Sequence, residues 1–165
     1  MKRTKKGLPM IIVGIFFWLV VGLLSFFNLH IKMHGLLVFI GISMIFPLGM
    51  IVSKMMKIDM MAKDNPLSAL AGLLGAMQLF FTPILMVIFI DETQLLPFFV
   101  AVLTGAHFFP FAWLYKSKAY IFQTVAIIVW AIIFGFIFNS YLFTIFPFIL
   151  SAVYLITSLW LTKEV

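Results

Sequence analysis

The sequence predicts an all-α fold, a polytopic transmembrane bundle of six helices with both termini cytoplasmic, and three observations carry that prediction. The 165 residues are 65% hydrophobic and only 10% charged, with a mean hydropathy of +1.24. An ordinary soluble domain needs far more charge, roughly a quarter of its residues, to cover its surface. The apolar residues also fall into continuous runs of about 20, the length that carries a helix across a hydrocarbon core of ~30 Å. Finally, ten of the eleven Lys and Arg residues lie in segments that a simple alternation of spans puts on one side. They are Lys2, Arg3, Lys5, Lys6, Lys54, Lys57, Lys63, Lys116, Lys118 and Lys163; Lys32 is the exception. Cytoplasmic loops carry such an excess because positive segments resist translocation.

Six apolar segments separate, at about 8–27, 35–53, 67–90, 95–115, 119–138 and 141–161, and residues 1–165 read as a single transmembrane domain. Helices are required because backbone amides in lipid must be satisfied within each segment, and barrel strands would alternate polar with apolar residues. The first run follows the basic stretch Met1–Lys6 and extends from Leu8 to Phe27. It exceeds the ~7–15 residues of a signal core and is read as a retained span. Residues Asn28–His34, with Lys32 alone, are then outside, and Lys54–Pro66, with three Lys and two Asp, inside. Asp64-Asn65-Pro66 supplies a cap and a first-turn proline for the third helix. The acidic connection Asp91-Glu92-Thr93-Gln94 is outside, Lys116-Ser117-Lys118 inside, Asn139-Ser140 outside and the Lys163 tail inside.

Trp113, Tyr115 and Trp160 are expected at the inner headgroup level, where amphipathic rings prefer to sit. Prolines 47, 83, 110 and 147 fall inside spans 2, 3, 4 and 6, and each is expected to remove an amide donor and kink its helix. Short connections make consecutive helices expected antiparallel neighbours. Residues 1–90 and 95–165 show no sequence echo of the kind that marks inverted-repeat transporters.

The most specific polar constellation comes from pairing the third and fourth helices about the Glu92–Thr93 connection. Gln78 and His107 are equally distant from it, so two antiparallel helices place both roughly 22 Å along, near the bilayer midplane. Thr82 lies one turn from Gln78, and Thr104 three residues from His107, each on its partner's face. Gln78, Thr82, Thr104 and His107 therefore form a candidate midplane site. Polar groups at that depth face the bundle interior unless hydrated. Two readings stay open: a polar waist that binds a small solute or moves protons through the histidine, and plain hydrogen bonding between helices. The five acidic residues (Asp59, Asp64, Asp91, Glu92 and Glu164) all lie in loops or the tail, which weakens a proton relay.

Ala71, Gly72, Gly75 and Ala76 give the third helix two overlapping small-xxx-small pairs, and Ala101 with Gly105 gives the fourth another. Such pairs let helix backbones approach closely, within one chain or between two. His30 and His34 have a metal-compatible spacing, but two ligands are too few and Lys32 between them opposes a cation. Met55-Met56 and Met60-Met61 read as apolar anchors beside lysines rather than as a soft copper site. With no cysteine, thiolate metal sites and thiol nucleophiles are excluded. Enzyme signatures are missing too: no HExxH, GxSxG or glycine-rich phosphate loop occurs. Neither catalysis, a cofactor nor a metal is expected. The net charge of +6 sits at the ends of apolar runs, so anionic lipid headgroups at the cytoplasmic face, and not nucleic acid, are the expected partner.

Two stretches carry a resemblance: Asn65-Pro66-Leu67 through Gln78 and Pro83, and Gly105-Ala106-His107-Phe108-Phe109-Pro110-Phe111-Ala112-Trp113-Leu114-Tyr115-Lys116-Ser117-Lys118-Ala119-Tyr120. With the opening Lys6-Gly7-Leu8-Pro9, they resemble a family of small bacterial integral membrane proteins known only as a domain of unknown function. The resemblance spans nearly the whole chain and implies a bacterial inner-membrane location, with no catalytic or ligand-binding role to carry over. The functional expectation is a small transporter or permeability factor using the midplane site. The alternative is a non-catalytic membrane partner or assembly subunit, alone or as a homo-oligomer, docking through small-residue faces and the Lys54–Lys63 loop.

Overall fold

The computed structural model describes residues 7–58 and 66–164. Six stretches are long and apolar enough to cross a membrane: Leu8–Phe27, Ile31–Met55, Leu67–Asp91, Thr93–Tyr115, Lys118–Phe136 and Ile145–Lys163. They follow the six runs read from the sequence, and among the described residues the fold is all-α. The basic residues 2–6, the Met60-Met61 pair, Asp59, Lys63 and the Asp64-Asn65 cap lie outside the described residues.

Helix α1 (Leu8–Leu24) follows Gly7, whose φ of 74° suits a residue without a side chain. Pro9 stands in its first turn, where no helical bond is lost. A short 3-10 turn at Ser25–Phe27 and left-handed Asn28 end the span. In α2 (Ile31–Met55) the His30 ring caps the start, its Nδ1 accepting from the Lys32 amide at 3.3 Å. The third span is divided into α3 (Pro66–Ala76), a 3-10 segment at Met77–Phe81, and α4 (Thr82–Asp91). The fourth is α5 (Leu96–Tyr115), closed by left-handed Lys116. Helix α6 (Lys118–Phe136) forms the fifth, and α7 (Ile145–Lys163) the sixth.

Pro47 and Pro110 lie inside α2 and α5 as expected. Pro147 does not interrupt a helix. The sixth span begins at Ile145 rather than near residue 141, because residues 139–141 form a 3-10 turn. Pro147 therefore falls in the first turn, where its missing N–H has no helical acceptor to lose.

Neighbours in space only partly follow neighbours in sequence. Helix α1 packs most extensively on α7, the last helix, and then on α2; α7 continues onto α6, and α6 onto α5. The core sits where α1, α6 and α7 meet, around Trp18, Phe146, Ile11, Ile127 and Leu150, all nearly or wholly excluded from solvent. Trp18 lies edge-on to Phe146 at 6.2 Å between ring centroids. Gly14 makes the α1–α7 contact possible, because a Cβ there would collide with the Tyr154 ring. The expectation that consecutive helices are full neighbours fails for spans two and three. Helix α2 meets α4 and the Thr93–Leu95 turn at one end, and its contacts with α3 are sparse.

Contacts at the helix ends gather the described lysines other than Lys32 at one end of the bundle. Gly7 abuts Tyr115 and Tyr120, Met10 abuts Gly49, and Glu164 bonds the start of α6. This is the lysine-rich end, with Lys54, Lys57, Lys116, Lys118 and Lys163. Of the three aromatic residues expected at its rim, Trp113 and Trp160 are exposed but Tyr115 is buried. Its ring stacks on Phe111 at 5.7 Å and meets Tyr120 at the same distance. A helix end packed against the start of α1 leaves that ring no path outward.

Candidate functional site

One bond of the break in the third span is lost to its sequence. Pro83 has no N–H to return to the Leu79 carbonyl, so an α-helical bond is missing there. The Thr82 N–H takes that carbonyl instead, in the tighter 3-10 pattern. The interruption spans Met77–Phe81 and contains Gln78. One residue type thus brings together a polar side chain and irregular backbone, a combination tolerated in a membrane only where neighbouring groups satisfy it.

Gln78 is half-buried, and its Nε2 donates to Thr104 Oγ1 at 3.4 Å, a long and weak bond. Thr104 is buried in α5. His107 is half-buried on the same helix, with its ring 5.3 Å from Phe111 and 5.8 Å from Phe108. No hydrogen bond joins His107 to Gln78 among the described residues. Level pairing of those two assumed two continuous α-helices, and the third span is not one. Thr82, half-buried, opens α4 one turn beyond Gln78. The structure therefore brings Gln78 and Thr104 together, places Thr82 at the break, and sets His107 against aromatic rings one turn away. Pro110 adds to the polarity there, since it leaves the Ala106 carbonyl beside His107 without its helical donor.

The far end of the third span is clamped by a charged side chain. Lys32 Nζ donates to the Ile90 carbonyl at 2.5 Å and to the Phe89 carbonyl at 3.1 Å, and stands 5.7 Å from the Phe89 ring centre. A cation on the last carbonyls of α4 satisfies orphan acceptors and opposes the negative end of the helix dipole. Thr93 Oγ1 adds a bond to the Phe89 carbonyl at 2.6 Å. Elsewhere the span is peripheral: 6% of its apolar window is buried, against 44% for the fourth span. Gly72 and Gly75 face open space, with nothing within 4 Å of a Cβ placed there. The equivalent Gly105 on α5 is packed against Ile127 and Ile128 of α6. Of the α3 set, Ala71 packs toward the core, while its two glycines meet nothing inside the chain.

The two histidines four apart are separately engaged. His30 caps α2, while buried His34 bonds the Val21 carbonyl through Nε2 at 3.1 Å and packs on Phe143 at 4.5 Å. Among the described residues no group of three or more His, Cys, Asp or Glu side chains is placed to hold a metal ion.

Sequence reasoning passed over two positions. Gln123 on α6 is fully buried, and it shares a helical stripe with buried Tyr120, Ile127, Ala131 and Phe134. A lone glutamine in a largely apolar run is the signal the sequence offers. The sequence places Glu164 in the tail. Its carboxylate accepts from the backbone N–H groups of Lys118 at 3.1 Å and Ala119 at 3.2 Å, and from the Ser117 hydroxyl at 2.5 Å. No local spacing signals a cap supplied from 46 residues further along the chain.

Comparison with known proteins finds a match over residues 1–164 to the family described as Family of unknown function (DUF7010). No curated protein matches the chain. No solved structure matches it either.

Proposed function

Since the chain belongs across residues 1–164 to the DUF7010 family, a family of unknown function, we propose from its own geometry that it is a non-enzymatic membrane transporter or permeability factor. Its cargo is a small neutral solute that passes between the third and fourth spans. The observation that carries this reading is the broken third span, in which Gln78 sits on 3-10 backbone and touches the fourth span through one long bond to Thr104. Interrupted helices at mid-membrane are where transporters expose backbone and side-chain groups to a solute. Gln78, Thr82 and Thr104 offer neutral donors and acceptors and no carboxylate, which fits a neutral hydrogen-bonding cargo better than an ion. The Lys32 clamp fixes one end of the span, while α3 meets α5 and turns Leu70, Ala71 and Leu74 toward the core.

The bundle sits in a bacterial inner membrane with its lysine-rich end in the cytoplasm and both termini on that side. The positive-inside rule and the family resemblance support this placement, and anionic headgroups are then the natural counter-charge for Lys54, Lys57, Lys116 and Lys163.

Proteoliposomes challenged with glycerol or urea, followed by stopped-flow light scattering, test the function. Re-equilibration of at least one solute is expected to be faster than in protein-free vesicles and slowed by Gln78→Leu. No acceleration for either solute, or an acceleration that the variant leaves unchanged, removes the proposal.

A second reading, a membrane partner or assembly subunit, has its own observation. Gly72 and Gly75 face outward on a span that is barely buried, an arrangement that suits close approach of a further helix.

A further inference from the structure

Among the described residues, the polar side chains with no exposed surface, Gln123 and Thr157, belong to neither the third nor the fourth span. Gln123 has no exposed surface, and neither its Oε1 nor its Nε2 makes a well-formed hydrogen bond, although the Tyr154 phenol interacts with its amide. An amide enclosed at both ends without well-formed bonds is strongly unfavourable, because its hydration is lost and not fully replaced. The group facing it is the phenol of Tyr154, itself 2% exposed, which extends toward both the Gln123 amide and the Trp18 indole. The backbone of α1 at Gly14 lies against one part of the Tyr154 ring, and the edge of Phe108 packs 5.8 Å away. Those contacts restrict the ring and hold its hydroxyl in the core.

A single phenol can serve one end of the amide, as donor to Oε1 or acceptor from Nε2, and the other end stays unpaired. A water molecule donates and accepts at once, so it can complete an amide that side chains leave half-satisfied. Internal waters occupy polar sites of this kind, taking two to four partners. We propose that the core between α1, α6 and α7 holds a bound water, coordinated by the Gln123 amide and the Tyr154 phenol. Thr124 adds a second buried hydroxyl without a partner in the same stretch of α6, which marks this part of the bundle as polar beyond what its side chains satisfy.

X-ray radiolytic hydroxyl-radical footprinting of the full chain in nanodiscs, read by mass spectrometry, tests this directly, because radicals form from bound water inside a protein. Phe146 is the control, an aromatic ring in the same core with no exposed surface. Tyr154 is expected to be modified several-fold faster than Phe146 in the wild-type protein, and Gln123→Leu is expected to bring it down to the Phe146 level. Equal wild-type rates at Tyr154 and Phe146 overturn the proposal. So does fast Tyr154 modification that Gln123→Leu leaves untouched. If the leucine variant does not fold, Gln123→Met, which keeps the side-chain length without the amide, gives the same comparison at Tyr154.

Discussion

The Glu164 carboxylate accepts the N–H groups of Lys118 and Ala119 and the Ser117 hydroxyl, so one side chain closes the first turn of α6 and ties the end of α7 to it. Ser117 occupies the cap position without making a cap bond itself, and the distant carboxylate supplies the acceptor and the negative charge that a helix start favours. Removing that acceptor in Glu164→Ala is expected to cost about 1 kcal/mol, within the range for lost caps. That corresponds to a fall of roughly 2–4 °C in the melting temperature of a chain of this size. Glu164→Gln keeps an acceptor oxygen and should lose less than the alanine variant in the same thermal-shift measurement. Equal losses would show that charge, not the bond, does the work. Lys32 is the mirror case, a cation on the carbonyl end of α4. Both residues are visible in the sequence as charges beside apolar runs. Neither declares its partner, because the groups they satisfy belong to helices remote in the chain.

At the scale of elements, small residues with the same spacing do different work on α3 and α5. Gly105 touches Ile127 and Ile128, so Gly105→Leu overpacks the α5–α6 contact and is expected to destabilise by about 1–3 kcal/mol. Gly72 has nothing within 4 Å, so Gly72→Leu should leave the melting temperature of the solubilised chain unchanged. If the outward face of α3 meets a second copy, the same change lowers energy transfer between labelled chains in liposomes. A destabilised Gly72→Leu would contradict the open face, and unchanged energy transfer would remove a second copy as its occupant. The third span was legible as an apolar run starting at Pro66, and Pro83 was legible as a disruption. The five-residue 3-10 segment was not, because a proline removes one bond but leaves the tertiary surroundings to decide how the chain re-satisfies it. Within the four-residue cluster the sequence offers, the bond to Thr104 rather than His107 depends on that same segment. Depth counting assumes a constant rise along both helices.

For the whole molecule, the charge pattern makes a sidedness prediction. The chain has no cysteine, so Lys57→Cys and Glu92→Cys each carry a single thiol. A membrane-impermeant maleimide added to intact cells is expected to label Glu92→Cys and to reach Lys57→Cys only after permeabilisation. Labelling in the opposite order would invert the topology, and labelling of both from outside would break the alternation of spans.

The sequence by itself determined the solvent of this protein, the number and approximate positions of its six spans and the end at which its lysines gather. Those properties follow from one-dimensional quantities, the length of apolar runs and the position of charge between them. Only the tertiary structure decided that the first span lies against the last, that the third stands at the edge, and that Gln123, and not Gln78, is wholly enclosed. In lipid every helix is apolar on nearly all sides, so hydrophobic periodicity does not say which face turns inward. That choice falls to shape, such as Gly14 receiving the Tyr154 ring, and to bonds made across the bundle.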